Sequence, residues 1–210
     1  MRLLTTAPGQ VLALAFSPDA DALAVAVEHQ GVYLWNLAAA GKPVVLDTAA
    51  YRTRTRTLLF APDGRSVGWL AWNRWKVYDR DAREAVEKPL DPRGQLLDLV
   101  HTPDGSRVVS KQHSLSEPAL VGWAVGANGW VQDWSVSTWD LSVRDRGLAV
   151  DPAGRRVAVV CQPTRQSPRS ARWWEEHPVR VDLRSAVSGV VQATSPYPYQ
   201  HVDALVFAPD

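Results

Sequence analysis

The stretch Leu12–Asn36, LALAFSPDADALAVAVEHQGVYLWN, decides how this chain is read. It opens on an apolar run, LALAF (12–16), that meets Ser17-Pro18-Asp19-Ala20. Proline presets φ for the second position of a type I turn, Asp suits the third, and the fourth takes positive φ. One apolar strand therefore enters a tight reversal, and a second, ALAVAV (22–27), leaves it. A polar break at Glu28-His29-Gln30 separates it from a third run, VYLWNL (32–37). Short strands divided by turn signals argue for an all-β fold.

The same unit recurs along the chain. The turn appears again in LLFAPDG ending at Gly64, LDLVHTPDG ending at Gly105, LAVDPAG ending at Gly154 and LVFAPD at 205–210. Its prolines are Pro18, Pro62, Pro103, Pro152 and Pro209, spaced by 44, 41, 49 and 57 residues. Second strands follow as RSVGWLAW (65–72), SRVVS (106–110) and RRVAVV (155–160), and third strands as WKVYDR (75–80) and VRVDL (179–183). A unit of about 40–50 residues made of short strands is in the range of propeller blades. No helical pattern of 10–15 residues intervenes, which argues against a βαβ sheet.

LAFSPDA, LAVAV and VYLWNL, read together, resemble the WD-repeat family. The resemblance implies an all-β, partial β-propeller of four WD-like blades plus the first strands of a fifth. It implies one domain over 1–210, with repeats at about 1–41, 42–83, 84–129 and 130–187 and an incomplete 188–210. It also implies a large residue packed between blades at Trp35, Tyr78, Trp123 and Val181, with the polar residue after it, Asn36, Asp79 or Asp182, ending the third strand. The family's Gly-His pair occurs nowhere in the sequence, and Gln30 and Asn73 stand near the place of its Asp. Blade packing is therefore expected to rest on apolar contact, which ten tryptophans can supply.

The one Trp-Asp dipeptide, Trp139-Asp140, does not mark a blade. Trp35 lies 27 residues before the next turn proline, Tyr78 lies 25, and Val181 lies 28. Trp139 lies only 13 residues before Pro152, too few for an outer strand, a turn and the next inner strand, whereas Trp123 lies 29 before it. GWAVGANG (122–129) also aligns without a gap to LWNLAAAG (34–41). Trp123 is thus assigned to the third strand and WVQDWSVSTW (130–139) to the outer strand.

The chain has 210 residues, 23 Lys+Arg against 22 Asp+Glu and a net charge of +1, a balance that argues against a dedicated nucleic-acid binder. Cys161 is the single cysteine, so no internal disulfide forms. The opening MRLLTTAPGQVLALAF lacks the continuous apolar core of a signal peptide, and no window approaches a membrane span. The expectation is a cytoplasmic protein that binds no membrane.

Residues 161–178, CQPTRQSPRSARWWEEHP, form the one long connection between a second and a third strand. Long loops on a rigid scaffold are where function tends to sit. Arg165, Arg169, Arg172, Trp173 and Trp174 are of the types enriched at interface hot spots. The resemblance places Arg144 and Arg146 on the same face. These seven are the candidate partner-binding residues. Arg52, Arg54 and Arg56 of RTRTRT (52–57) form a second basic candidate for phosphates or an acidic partner, and TSPYPYQ (194–200) a possible docking segment. No catalytic set, metal set or cofactor motif is legible. Cys161 closes an apolar strand and reads as a small buried thiol. Asp98 and His101, three apart on a strand, point to opposite faces.

The expectation is a non-catalytic WD-repeat-like interaction scaffold with protein partners. The alternative is part of a propeller hydrolase or small-molecule binder completed by further blades. An open blade edge also invites pairing with another copy. The sequence leaves open whether the chain is a fragment, a truncated gene product or a half-propeller completed by a partner.

Overall fold

A computed structural model of the chain describes residues 9–39, 41–48, 57–71, 74–89, 95–113, 119–126, 129–137, 147–161, 180–196 and 205–208. The chain forms two compact units, residues 1–91 and 92–210. Every described element is a β-strand, and each unit holds two four-stranded antiparallel sheets with strands in chain order. In the first unit, blade one is β1 (Val11–Phe16), β2 (Ala22–Val27), β3 (Gly31–Asn36) and β4 (Val44–Asp47). Blade two is β5 (Leu58–Phe60), β6 (Ser66–Ala71), β7 (Arg74–Asp79) and β8 (Glu84–Pro89). In the second unit, blade three is β9 (Gln95–His101), β10 (Arg107–His113), β11 (Ala119–Gly126) and β12 (Gly129–Ser137). Blade four is β13 (Leu148–Val150), β14 (Arg156–Cys161), β15 (Arg180–Ser185) and β16 (Val191–Pro196). The repeats read from the sequence are offset from these sheets by one strand. The fourth strand of each sheet opens the next sequence repeat, as β4 does at 42–83.

The turn chemistry repeats as its residues demand. Ala20, Gly64, Gly105 and Gly154 each donate their N–H to the carbonyl three residues back, at 2.9 Å. All four have positive φ, between 57° and 70°. Asp19, Asp63 and Asp104 accept the backbone N–H two residues on. Blade four has Ala153 at that place, and Asp151, before the proline, accepts from Arg155 N, Arg156 N and Arg156 Nε instead. The turns also stack within each unit. A Cβ on Gly64 would lie 3.6 Å from Pro18 Cδ, and one on Gly154 3.3 Å from Pro103 Cδ. Of these four turn residues, Ala20 alone carries a Cβ in the left-handed conformation. Ala20→Gly should stabilise the fold by about 0.5–1 kcal/mol, the left-handed strain of Ala exceeding the extra chain entropy of Gly. A higher urea midpoint at unchanged slope is the expected result, and a lower one overturns it.

The first unit buries one face of blade one against the facing side of blade two. Ala13, Ala22, Ala24, Ala26, Val32 and Leu34 meet Leu58, Phe60, Val67, Trp69, Ala71 and Tyr78. Apolar contact is not the whole of blade packing, contrary to expectation. Trp69 Nε1 donates to Asp47 Oδ2 at 3.0 Å, and Lys76 Nζ adds 2.8 Å to the same oxygen. Arg80 reaches from the end of β7 to both carboxylate oxygens of Asp21, at 2.8 and 2.9 Å, and to Gly64 O. These groups are buried or half-buried between two sheets, where a polar group must find a partner or destabilise the fold. In the second unit Val109 and Leu120 meet Leu148, Val157, Val159, Cys161 and Ala186. Trp134 of β12 lies across Gly122 and Gly189, where an added Cβ would come within 2.1 and 2.6 Å of its indole, and donates to Ala186 O at 3.2 Å.

Three of the four expected anchors stand at equivalent places on their third strands, and Tyr78 packs between blades one and two as expected, whereas Trp35 packs with residues of its own blade. Trp35 pairs with Leu23, Tyr78 with Val67 and Trp123 with Val108, each opposite the second residue of its neighbouring strand. Asn36 and Asp79 end their strands, each accepting two backbone N–H groups of the following turn. Blade four differs. Arg184, not Val181, pairs with Val157 at the equivalent place, and Ser185 ends the strand by accepting from Val187 N and Ser188 N. Asp182 stands inside β15 and ends nothing. The long connection before β15 hides the strand's register from the sequence, and only the pairing of Arg184 with Val157 sets it. Residue 123 falls in β11, and β12 covers Gly129–Ser137 as the assigned outer strand; Trp139 and Asp140 lie outside the described residues. Trp123 Nε1 donates to Ser110 Oγ at 2.8 Å, a side-chain link across two strands of blade three.

Candidate functional site

The seven candidate partner-binding residues, Arg144, Arg146, Arg165, Arg169, Arg172, Trp173 and Trp174, lie outside the described residues. So do Arg52, Arg54 and Arg56. The base from which the long connection springs is described, and it is unlike the other three. The connection from second to third strand is Glu28–Gln30 in blade one, residues 72–73 in blade two and 114–118 in blade three, but 162–179 in blade four. Cys161, the last residue of β14, pairs directly with Arg180, the first of β15. The loop therefore leaves and returns at adjacent points of one rigid hairpin.

Beneath that mouth lies a buried polar cluster. β14 sends Val157, Val159 and Cys161 to the face that meets blade three, and Asp182 and Arg184 of β15 share that face. The corresponding places in blade one hold Val27, Tyr33 and Trp35, which pack as an apolar group with Val25 and its neighbours. In blade four, Asp182 carries the organisation. Its Oδ2 accepts from Arg184 Nη2 at 2.8 Å and from Cys161 Sγ at 3.4 Å; its Oδ1 accepts from Thr194 Oγ1 at 3.0 Å and Arg180 Nε at 3.1 Å. Arg184 Nη1 reaches Gly189 O at 3.0 Å, while its Nε is buried with no partner among the described residues. Burial pushes the Asp182 carboxyl up, but the hydrogen bonds from Arg184, Thr194 and Cys161 and the charge of Arg180 outweigh it and hold it below 3.8. Burial first, then the charge of Asp182 and its acceptance of the thiol proton, push Cys161 up to about 12. A thiol held protonated in this way is a poor nucleophile at neutral pH, in keeping with the small buried thiol expected.

Arg180 was not singled out from the sequence. Its side chain is 37% exposed at the loop mouth, with its Nε fixed by a buried acid. The signal was present as Arg-x-Asp on one strand, since residues two apart share a face. Thr194, the first residue of the docking candidate 194–200, donates to Asp182, and residues 197–200 of that segment lie outside the described residues. His101 is pulled below 6.5 by burial. No group of three His, Cys, Asp or Glu side chains among the described residues could hold a metal ion.

No protein-family model and no curated protein matches the sequence. Solved structures do. The β-propeller domain of Myceliophteria thermophila Cps50 (Swd1) superposes with a TM-score of 0.65 at 12% identity, covering 92% of this chain and 62% of that one. The WD40 repeats of RRP9 give 0.58 at 14% identity, over 86% and 50%. The fold is that of the WD-repeat β-propeller. A Bacteroides uniformis protein assigned as a 6-phosphogluconolactonase matches at 0.58 and 16% identity, over 87% and 52%. The chain thus spans about half to three fifths of the length of these structures. At such identities the likeness establishes the propeller fold and nothing of activity.

Proposed function

We propose that the chain is a non-catalytic interaction scaffold that binds a protein partner through residues 161–178. Arg144, Arg146, Arg165, Arg169, Arg172, Trp173 and Trp174 supply the contacts, and Arg180 joins them at the loop mouth. One observation carries this reading. Only blade four carries so long a connection between its second and third strands, and it springs from the strand pair Cys161–Arg180, braced by the Asp182 cluster. A loop anchored at both ends loses less freedom on docking than a tethered tail, so more of its contact energy appears as affinity. Three arginines, two tryptophans and Arg180 suit a partner surface that is acidic and apolar by turns.

The test is a quadruple substitution, Arg169→Ala, Arg172→Ala, Trp173→Ala and Trp174→Ala. Partner capture in a pull-down should be lost with an unchanged circular dichroism spectrum. Undiminished capture overturns the assignment. A second reading, a propeller hydrolase or small-molecule binder, is supported by the likeness to the Bacteroides protein. Turnover of ester or lactone substrates by the protein, unaffected by the quadruple substitution, would favour it.

A further inference from the structure

The fourth strand of each sheet is its outer edge, paired within the sheet on one side only. Three of these edges are broken by a shift of register. The ladders of β4, β12 and β16 slip opposite Val32–Tyr33, Gly122–Trp123 and Leu183–Arg184. A bulge of this kind bends an edge and spoils it for further pairing. β8 differs, for Glu84–Pro89 pair with Asp79–Arg74 without a shift. Glu84, Ala85, Val86 and Glu87 are exposed, Val86 by 45%. Antiparallel alternation fixes which backbone groups of β8 look outward. In blade four Ser185 N donates to Val190 O, so the pair that closes that hairpin is a hydrogen-bonded one. Asp79 and Glu84 close the hairpin of blade two in the same way, and each turn ends on a residue of positive φ, Gly189 or Arg83. Residues 84, 86 and 88 therefore turn their backbone groups to β7, and Ala85 and Glu87 turn theirs outward.

We infer that two copies of this chain pair through β8, antiparallel, about a two-fold axis at Val86. The charge pattern along the strand selects this occupant. Glu84-Ala85-Val86-Glu87-Lys88 is self-complementary when reversed. With Val86 opposite its own counterpart, each Glu84 falls opposite a Lys88 and each Ala85 opposite a Glu87, so no like charges stand opposite each other. Glu87, which meets an alanine there, is already ion-paired with Arg74 of its own sheet. The backbone agrees with this register. Ala85 and Glu87 carry the outward groups, and across the axis they form the pairs that exchange N–H···O=C bonds. Positions 84 and 88, and 86 with its own copy, are then the non-hydrogen-bonded pairs, whose Cα atoms approach to about 4.5 Å. Pro89 has no N–H and ends the ladder. Charges along an edge ordinarily repel other strands, whereas these also fit a reversed copy of themselves. The edge follows from the strand order of its own sheet, and the sheets within each unit meet by their faces. The inference does not rest on the function proposed for residues 161–178.

Solution mass and an exchange of charge test it. Between about 10 μM and 1 mM the weight-average mass of the purified chain should climb from its formula mass toward twice that value. Glu84→Lys and Lys88→Glu each set like charges opposite, so either variant alone should stay at the formula mass with an unchanged circular dichroism spectrum. An equimolar mixture of the two should associate again, because each then carries the charge the other lacks. Val86→Cys should oxidise to a covalent dimer, since the axis sets residue 86 beside its own copy. Val131→Cys, at a position 68% exposed on β12, should not. Cys161 is fully buried and does not compete. A wild-type mass constant over this range overturns the inference. So do single variants that associate like wild type, a mixture that stays monomeric, or a Val86→Cys chain that cross-links no faster than Val131→Cys.

Discussion

Asp182→Ala is expected to destabilise the second unit by about 3–5 kcal/mol, because it leaves a buried guanidinium without its counter-charge. Asp182 and Arg184 side chains are 2% and 7% exposed, so water cannot replace the lost partner. Arg184 would keep only Gly189 O, with Nε already unpartnered. The double variant Asp182→Ala with Arg184→Met should recover most of the loss, since residue 184 pairs with Val157 on the face that carries the apolar cluster of Val157 and Val159. A double variant as unstable as the single one would show that the ion pair, not the orphaned charge, was the stabilising element. Acid supplies a second reading. The Asp182 carboxyl lies below 3.8 in the folded chain, as does that of Asp151, where hydrogen bonds from Arg156 and Arg155 outweigh burial. A depressed folded value means stability present above about pH 4 and lost as pH falls through the folded value. The gap in stability between wild type and Asp182→Asn should therefore narrow below pH 4, and a gap constant down to pH 2.5 would contradict it. Since the same carboxylate holds Arg180 at 3.1 Å, Asp182→Asn should also weaken partner capture at neutral pH.

Trp69→Ala should cost the first unit about 3–5 kcal/mol, the range for emptying a buried tryptophan site. Trp69 is fully buried in the seam between blades one and two, beside Ala24, Val32 and Phe60. Its Nε1 also neutralises part of the demand of Asp47, a carboxylate buried at the end of β4. Trp69→Phe keeps most of the volume and removes the N–H, so a loss of about 1–2 kcal/mol is expected. Both follow from urea unfolding monitored by circular dichroism. If Trp69→Phe were as damaging as Trp69→Ala, the hydrogen bond to Asp47 rather than the packing would hold the seam.

Much of this architecture is written locally. The turn bonds from Ala20, Gly64, Gly105 and Gly154 span three residues, so Pro18, Pro62, Pro103 and Pro152 disclose them without any knowledge of neighbours. Trp123 could be placed on its strand for the same reason, since the span from anchor to next turn is set by two strands and a turn. The base of the candidate site was only half legible. Its length anomaly is plain in residues 161–178, but Asp182 reads as a strand terminator until pairing shows it buried between Cys161, Arg184 and Thr194.

What the sequence by itself determined is the repeat: its turns, its strand order and the one connection that breaks its spacing. These rest on φ preferences and on bonds between residues a few positions apart. What only the tertiary structure decided is which side chain meets which across a seam. Arg184 occupies the place of a tryptophan, Trp134 lies over Gly122 and Gly189, and Leu14 stands exposed where Leu58 is covered. The reason is physical. Strand register across an insertion is fixed by pairing and burial, not by the insertion's length, and a face is buried only if another sheet is there to cover it.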